Sequence, residues 1–329
     1  MIALLHGDGS DWPNLALARL AAHFRARGED ARLVRAGTKR DLFDGAVRAF
    51  GSSIFSFSEK TRAWFDREWG PGVVWGGTGV RVESSLADID PSVEWEAVKP
   101  DLSIYPGDVS VGFTQRGCRL RCGFCVVPRK EGRPRSVRKI ADLWRGAPFP
   151  RKVLLLDNDF FGQPRDQWQA RLDEIRSGRF RVCFAQGINI RLIDEAAATG
   201  LASLIVPTKS GKLRPLYRDT KFQRSRLYTA FDNLGDEPIF RRGVESLRAA
   251  GVPPKHLMVY MLVGYAKGET WDAIFHRFNE LVALGCKPYP MVYDRARKDL
   301  LAFARWASTG LYRAVAWKDY RDPRLERVA

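Results

Sequence analysis

The chain has 329 residues, 45% hydrophobic and 28% charged, which is ordinary globular usage and excludes a disordered chain. Its 29 glycines and 18 prolines are too few for a fibrous or low-complexity protein. Lys plus Arg is 54 against 38 for Asp plus Glu, a formal net charge of +16, so a polyanionic partner is expected, with nucleic acid the first candidate.

Residues 1–98 read as a small Rossmann-like α/β domain. Ile2 to Leu5 is an apolar run that predicts a first strand. It enters Asp8 without a basic region or a small-residue cleavage site, so no secretory leader is expected. Helical spacing of Leu15, Leu17, Ala18, Leu20, Ala21 and Phe24 predicts a helix over Leu15–Arg25. Ala31–Val34 and Ser53–Phe57 predict two further strands, Lys60–Trp69 a helix and Val73–Trp75 a fourth strand. The alternation argues for a parallel sheet. Gly76-Gly77-Thr78-Gly79 follows the last strand. With no Gly-x-Gly-x-x-Gly after the first strand, it reads as a structural turn rather than a nucleotide loop.

Residues 99–295 carry a longer rhythm. Strand-like runs fall at Val109–Phe113, Val153–Leu156, Val182–Ala185, Leu204–Val206, Tyr228–Phe231, Met258–Val263 and Pro290–Tyr293. Helical patterns lie between most of them, at Arg138–Arg145, Trp168–Ser177, Asp194–Thr199, Ile239–Ala250 and Thr270–Leu284. About six such units predict a partial or full TIM-like (β/α) barrel, with its chemistry at the C-terminal strand ends. Pro207–Arg226 holds seven basic residues and the single acid Asp219, and reads as a long, mobile, basic loop. Residues 296–329 read as a helical tail rich in aromatic residues. No apolar run reaches the ~18 residues of a membrane helix, so no membrane partner is expected.

Five cysteines are present, and Cys118, Cys122 and Cys125 form a C-x3-C-x2-C run. The odd number argues against a disulfide framework and for a reducing cytoplasm with a metal site. Cys183 and Cys286 stand alone and read as buried structural thiols. Three soft thiolates suit zinc or an iron–sulfur cluster. No His lies between His23 and His256 to complete a zinc site. Three ligands suit a [4Fe–4S] cluster whose fourth iron is open to substrate. A zinc knuckle and an electron-transfer cluster are the alternatives. Nine basic residues lie between Arg116 and Lys139, with Glu131 the only acid. With the 207–226 segment they would line a groove for phosphates, where Tyr217, Trp306 and Tyr312 would stack bases.

The cysteine run, with Phe124 just before the third cysteine, resembles the signature of radical S-adenosylmethionine (SAM) enzymes. Further segments resemble that family in order. Leu154 to Phe160 contains Asp157 and Asn158 and is similar to the segment that receives the SAM amino group. Gln186 to Arg191, with Asn189, is similar to the segment that reaches the SAM carboxylate or ribose. Asp232 ends a further strand, and Gly264 to Thr270, with Glu269, is similar to the segment beside the adenine. The resemblance implies a radical SAM barrel. It implies a [4Fe–4S] cluster on Cys118, Cys122 and Cys125, bound SAM, and a reducing partner such as flavodoxin or ferredoxin in the cytoplasm. It assigns no catalytic residue beyond these. The N-terminal domain resembles a degenerate cobalamin-binding domain. The D-x-H-x-x-G motif is missing, His6 stands in His6-Gly-Asp-Gly, and cobalamin is not expected. Arg116 to Gly132 is also similar to phage and prophage radical SAM proteins, some of which hypermodify thymidine in viral DNA. That resemblance implies an isomerase acting on an amino-acid adduct of thymidine, within a wider class of nucleic-acid or nucleotide substrates. A non-catalytic, zinc-stabilised nucleic-acid-binding protein and a methyl- or methylthiotransferase are the alternatives. The methylthio route calls for a second cluster, for which Cys183 and Cys286 supply no three-cysteine set.

Overall fold

A computed structural model of the protein describes residues 1–43 and 48–323. Residues 324–329 of the predicted tail therefore lie outside the described residues. The fold is mixed α/β with parallel sheets. It divides into two compact units: residues 1–112, 126–131 and 145–150 form unit 1, and residues 113–125, 132–144 and 151 onward form unit 2. No described helix is long and apolar enough to cross a membrane.

Unit 1 is built on β1 (Ile2–His6), α1 (Leu15–Ala26), β2 (Ala31–Val34), β3 (Arg48–Ser52), α2 (Glu59–Trp69) and β4 (Val73–Gly76). The four strands form one parallel sheet in the order β2-β1-β3-β4. Every residue of β1 is buried, because helices cover both sheet faces. Strand alternation sends Ile2 and Leu4 towards Leu17, Leu20 and Phe24, while Ala3 and Leu5 meet Phe65 and Trp69. Asn14 starts α1, accepting hydrogen bonds from Ala16 N at 3.1 Å and Leu17 N at 3.3 Å. β5 (Ser110–Gly112) and α3 (Val127–Glu131) complete the unit.

The third strand lies five residues earlier than the predicted Ser53–Phe57. The reason is Asp8. Its carboxylate accepts from the backbone of Ile54 at 2.8 Å and of Phe55 at 3.1 Å. Those amides are thus withdrawn from any ladder, and Ile54, Phe55 and Phe57 stay exposed. The glycine run after β4 is a structural turn. Gly77 has φ +96°, and a Cβ there would overlap the Ser53 carbonyl. Gly77→Ala is expected to cost about 1–3 kcal/mol in thermal denaturation. A loss below ~0.5 kcal/mol would mean that the turn rearranges at little cost.

Unit 2 opens with β6 (Gln115–Arg116) and β7 (Arg135–Ser136), an antiparallel pair, and α4 (Ile140–Leu143). α4 is shorter than predicted, because the amides of Val137 and Arg138 donate to Thr114 O at 2.8 and 3.5 Å and Trp144 turns to extended backbone. There follow β8 (Lys152–Leu155), α5 (Arg165–Ser177), β9 (Arg181–Phe184), α6 (Glu195–Ala202), β10 (Ile205–Pro207), β11 (Leu213–Pro215) and β12 (Leu227–Ala230). The chain ends with α7 (Glu237–Ala249), β13 (Leu257–Val263), α8 (Trp271–Ala283), β14 (Lys287–Val292) and α9 (Lys298–Thr309). β8 pairs parallel with β9, and β12, β13 and β14 form a second parallel ladder. Ile188 N donates to Tyr228 O at 2.7 Å and links the two. Among the described residues the ladders do not close into a ring.

Three expectations are corrected here. The 207–226 segment is not a mobile loop: β10 and β11 form an antiparallel hairpin, after which Pro215, Leu216 and Tyr217 are buried. Tyr217 bridges Val182 of β9, and its hydroxyl is 2.9 Å from His256 Nδ1, so it does not face a base. Trp306 is buried against Phe278 with its indole N–H on Val315 O at 2.8 Å, and is likewise core. Tyr312 meets the Phe278 ring edge-on at 5.2 Å. Cys183 and Cys286 are buried thiols, as expected.

Candidate metal centre

The cysteine loop is held from below by Gln115, which is fully buried. Its Nε2 donates to Arg116 O and Gly117 O, each at 2.7 Å, and its Oε1 accepts from Asp159 N at 2.9 Å. The loop is therefore tied to the end of β8. Gly117 has φ +83°, and a Cβ there would overlap the Arg133 carbonyl. Only glycine lets the loop leave β6 so close to the returning chain. Cys118 N donates to Gly132 O at 3.0 Å, and Cys125 N donates to Cys122 O at 3.0 Å.

All three thiols are free and half-buried. Burial pushes Cys118 up to about 11, and Asp159, Cys125 and Cys122 add to the rise. Burial also raises Cys122, while Arg191 opposes the rise. The three sulfurs thus share one electrostatic locality with Asp159 and Arg191. A bound cation would have to displace the protons of Cys118 and Cys122.

Strand ends supply the surroundings. Asp159, 1% exposed, accepts from Arg119 N at 3.2 Å and from Asn189 Nδ2 at 3.3 Å. Asn189 in turn accepts from Arg191 N at 3.3 Å, and Arg191 pairs with Asp236 at 2.6 Å. Asp232 follows β12 and accepts from Leu262 N at 2.8 Å. Burial holds its carboxyl above the usual range. Phe124 is 40% exposed and meets the edge of Tyr265 at 5.3 Å, and Tyr265 meets Tyr293 at 4.9 Å.

Of the residues singled out in the sequence, Cys118, Cys122, Cys125, Phe124, Asn189, Arg191 and Asp232 belong to this locality. The other five stand differently. Asp157 is a buried latch, accepting from Thr114 N at 2.6 Å, Gln115 N at 3.0 Å and the Thr114 hydroxyl. Glu269 accepts from Gly264 N at 2.6 Å and pairs with Arg277, so its carboxylate organises the β13–α8 loop. Asn158 is half-buried and Gln186 exposed. Sequence reasoning missed Asp159, Tyr265 and Tyr293. The Asp-x-Asp spacing of 157 and 159 was the available signal for the first.

The basic run around the loop is partly tied down. Arg119 lies 3.6 Å from Asp159, Arg129 lies 3.5 Å from Glu83, and Lys130 donates to Ser84 O. In unit 1, His6 is buried and meets the Tyr105 ring at 5.7 Å.

A single zinc ion with Zn–S bonds of about 2.3 Å would draw its sulfurs to about 3.8 Å. Among the described residues, the one group of ligand atoms all within 4.8 Å is Glu237, His276 and Glu280. There Arg241 already bridges both carboxylates, which makes it an ion-pair cluster. Cys118, Cys122 and Cys125 do not form such a group. No protein-family model matches this chain, and no curated protein matches its sequence.

Proposed function

We propose that the chain is a radical SAM enzyme whose unit 2 is a partial (β/α) barrel. One observation carries the reading: three free thiols in C-x3-C-x2-C share a locality with Asp159, Asn189, Arg191 and Asp232 from the ends of three parallel strands. Cys118, Cys122 and Cys125 would hold a [4Fe–4S] cluster, leaving one iron without a protein ligand. With one electron from a flavodoxin- or ferredoxin-like donor, that cofactor supplies reductive cleavage of SAM to methionine and a 5′-deoxyadenosyl radical, which abstracts hydrogen from substrate. The chain's own residues do the rest. Asp159 offers a buried carboxylate to an ammonium group, and Arg191 a guanidinium to a carboxylate. Phe124 and Tyr265 form an aromatic pair beside the cysteine loop, open to an incoming ligand. The +16 charge supports a nucleic-acid or nucleotide substrate in the cytoplasm, with the thymidine-adduct isomerase as the narrowest form of the proposal.

Anaerobic reconstitution should give about four irons and four sulfides per chain. Replacing all three cysteines by Ala should abolish both, together with SAM cleavage under dithionite, and leave far-UV circular dichroism unchanged. Stoichiometric zinc in anaerobically prepared protein, with no SAM cleavage, would overturn the assignment in favour of a zinc-stabilised binding protein.

A further inference from the structure

A second basic surface lies at the other end of the unit 2 strands. Arg181 begins β9, Arg226 precedes β12, Lys255 precedes β13 and Lys287 begins β14. The ladder registers set these starts side by side: Leu227 pairs with Leu257, and Met258 with Lys287. Arg226 Nη1 donates to Lys255 O at 3.0 Å. Tyr217 bridges Val182 in parallel, just after Arg181. β11 approaches Tyr217 in that same direction, so the hairpin lies on the strand-start side. Arg179, just before β9, confirms this by donating to Pro207 O at 3.1 Å. At ~3.3 Å per residue, Lys212 at the foot of the hairpin's turn stands about 16 Å from Tyr217. The segment expected to join the cysteine loop in one groove therefore projects from the opposite end.

Carboxylates are scarce on this face. On the surrounding helices, Arg171, Arg176, Arg241, Arg248 and Arg305 each pair with a carboxylate. Among the described residues, none of Arg181, Arg214, Arg218, Arg226, Lys255 and Lys287 lies within ion-pairing distance of one. Asp219, the acid within the segment, turns its carboxylate to the amides of Gln223 and Arg224. Arg218 Nε is buried without a hydrogen-bond partner. Burial first, and then Arg181 and Arg214, hold Arg218 below its usual range. Burial, and then Arg226, Arg224 and Arg313, do the same to Lys287. Asp219 offsets part of the repulsion on Arg218, and a polyanion lying across the face would ease the rest.

We propose that the strand-start face of unit 2, with the β10–β11 hairpin, is a docking surface for duplex DNA, distinct from the cysteine end. It rests on nucleic acid being the partner, but not on the radical chemistry. Duplex DNA fits because Lys255 and Lys287 stand at the starts of neighbouring strands about 4.8 Å apart, with Arg226 buried beside them, in a row that can follow a phosphate backbone. A two-stranded ribbon carrying Lys209, Lys212 and Arg214 also has the width that a major groove admits.

The test is fluorescence anisotropy of the full chain with a 20-base-pair duplex at 50–200 mM salt, without SAM or reductant. In the variant Lys212→Ser, Arg214→Ser, Arg224→Ser and Lys255→Ser, all four sites are exposed. Each phosphate that is no longer neutralised takes ~0.9 off the log–log salt slope, so the slope should flatten by about 3–4. Affinity at 50 mM salt should fall at least about tenfold. The double variant Lys212→Ser, Arg214→Ser should give about half the change in slope and guards against misfolding of the larger one. Arg121→Ser with Arg133→Ser, at the cysteine end, should leave most of the slope. An unchanged slope in the four-site variant, or its loss only in the cysteine-end variant, overturns the proposal. Polyglutamate bound as tightly as the duplex would overturn it in favour of an acidic protein. The triple cysteine variant separates the two readings: it should bind DNA with the full slope even if no SAM chemistry is found.

Discussion

Arg277→Met is expected to destabilise the protein by about 3–5 kcal/mol, because it leaves a buried charge and several carbonyls without a partner. Arg277 is 1% exposed, on the inner face of α8. Its Nη1 donates to Phe231 O at 3.3 Å, Asp232 O at 3.0 Å and Leu262 O at 3.1 Å, and its Nη2 pairs with Glu269. One guanidinium thus fastens the ends of β12 and β13 together. It also fixes the loop in which Glu269 receives Gly264 N. Methionine fills much of the volume but donates nothing. The double variant Arg277→Met, Glu269→Gln removes the stranded charge and should recover about 1–2 kcal/mol of the loss, a coupling visible in a double-mutant cycle. Urea denaturation of cluster-free protein measures both. A single-variant loss under ~1 kcal/mol would show that the staple is dispensable.

That staple was legible in part. The pattern Ile274, Arg277, Phe278, Leu281 puts an arginine squarely in the apolar stripe of a helix. Arg171 stands likewise among Trp168, Leu172 and Ile175, and donates to Arg138 O at 2.9 Å. A cation in a buried stripe signals that something polar waits beneath it, but not what. The partners are carbonyls at strand ends, which carry no sequence signature.

Apolar runs located most strands: in Met258–Val263 the buried Val259, Met261 and Val263 alternate with half-buried Met258, Tyr260 and Leu262, so the run is apolar although only one face is fully covered. The reading failed where a side chain outcompeted the ladder, as Asp8 does at Ile54 and Phe55. It failed again where charge density hid structure. The 207–226 segment is basic enough to look like a free loop, yet Tyr217 and Leu216 anchor it beside Val182. Thiol spacing made Cys118, Cys122 and Cys125 legible, since three soft ligands within eight residues have few other uses. The choice between Asp157 and Asp159 was not legible. Both follow β8, and only the fold decides which carboxylate turns inward to Thr114 and which meets Arg119.

Replacing Asp157 should separate its charge from its hydrogen bonds. Burial holds its carboxyl up to about 6, against the opposing pull of the Thr114 hydroxyl and the amides of Gln115 and Thr114. The native state therefore keeps a proton that the unfolded chain gives up near pH 4. With native above unfolded pKa, the contribution to stability is full below pH ~4 and lost as pH rises through about 6. The difference of about two units corresponds to about 3 kcal/mol by neutral pH. Asp157→Asn keeps an acceptor for both amides and offers a donor to the Thr114 hydroxyl, without an ionisable group. It should gain on the wild type between pH 4.5 and 7.5 and flatten the stability–pH curve there. Asp157→Ala orphans the amides of Thr114 and Gln115 and should cost about 2–4 kcal/mol at pH 4.5, where the wild type is most favoured. Because Gln115 anchors Gly117 at the root of the cysteine loop, the Ala variant should also take up less iron on reconstitution than the Asn variant. Denaturation curves at the two pH values, with iron counts on the same samples, decide the matter. Parallel stability curves for wild type and Asp157→Asn would show that this carboxylate does not titrate in that range.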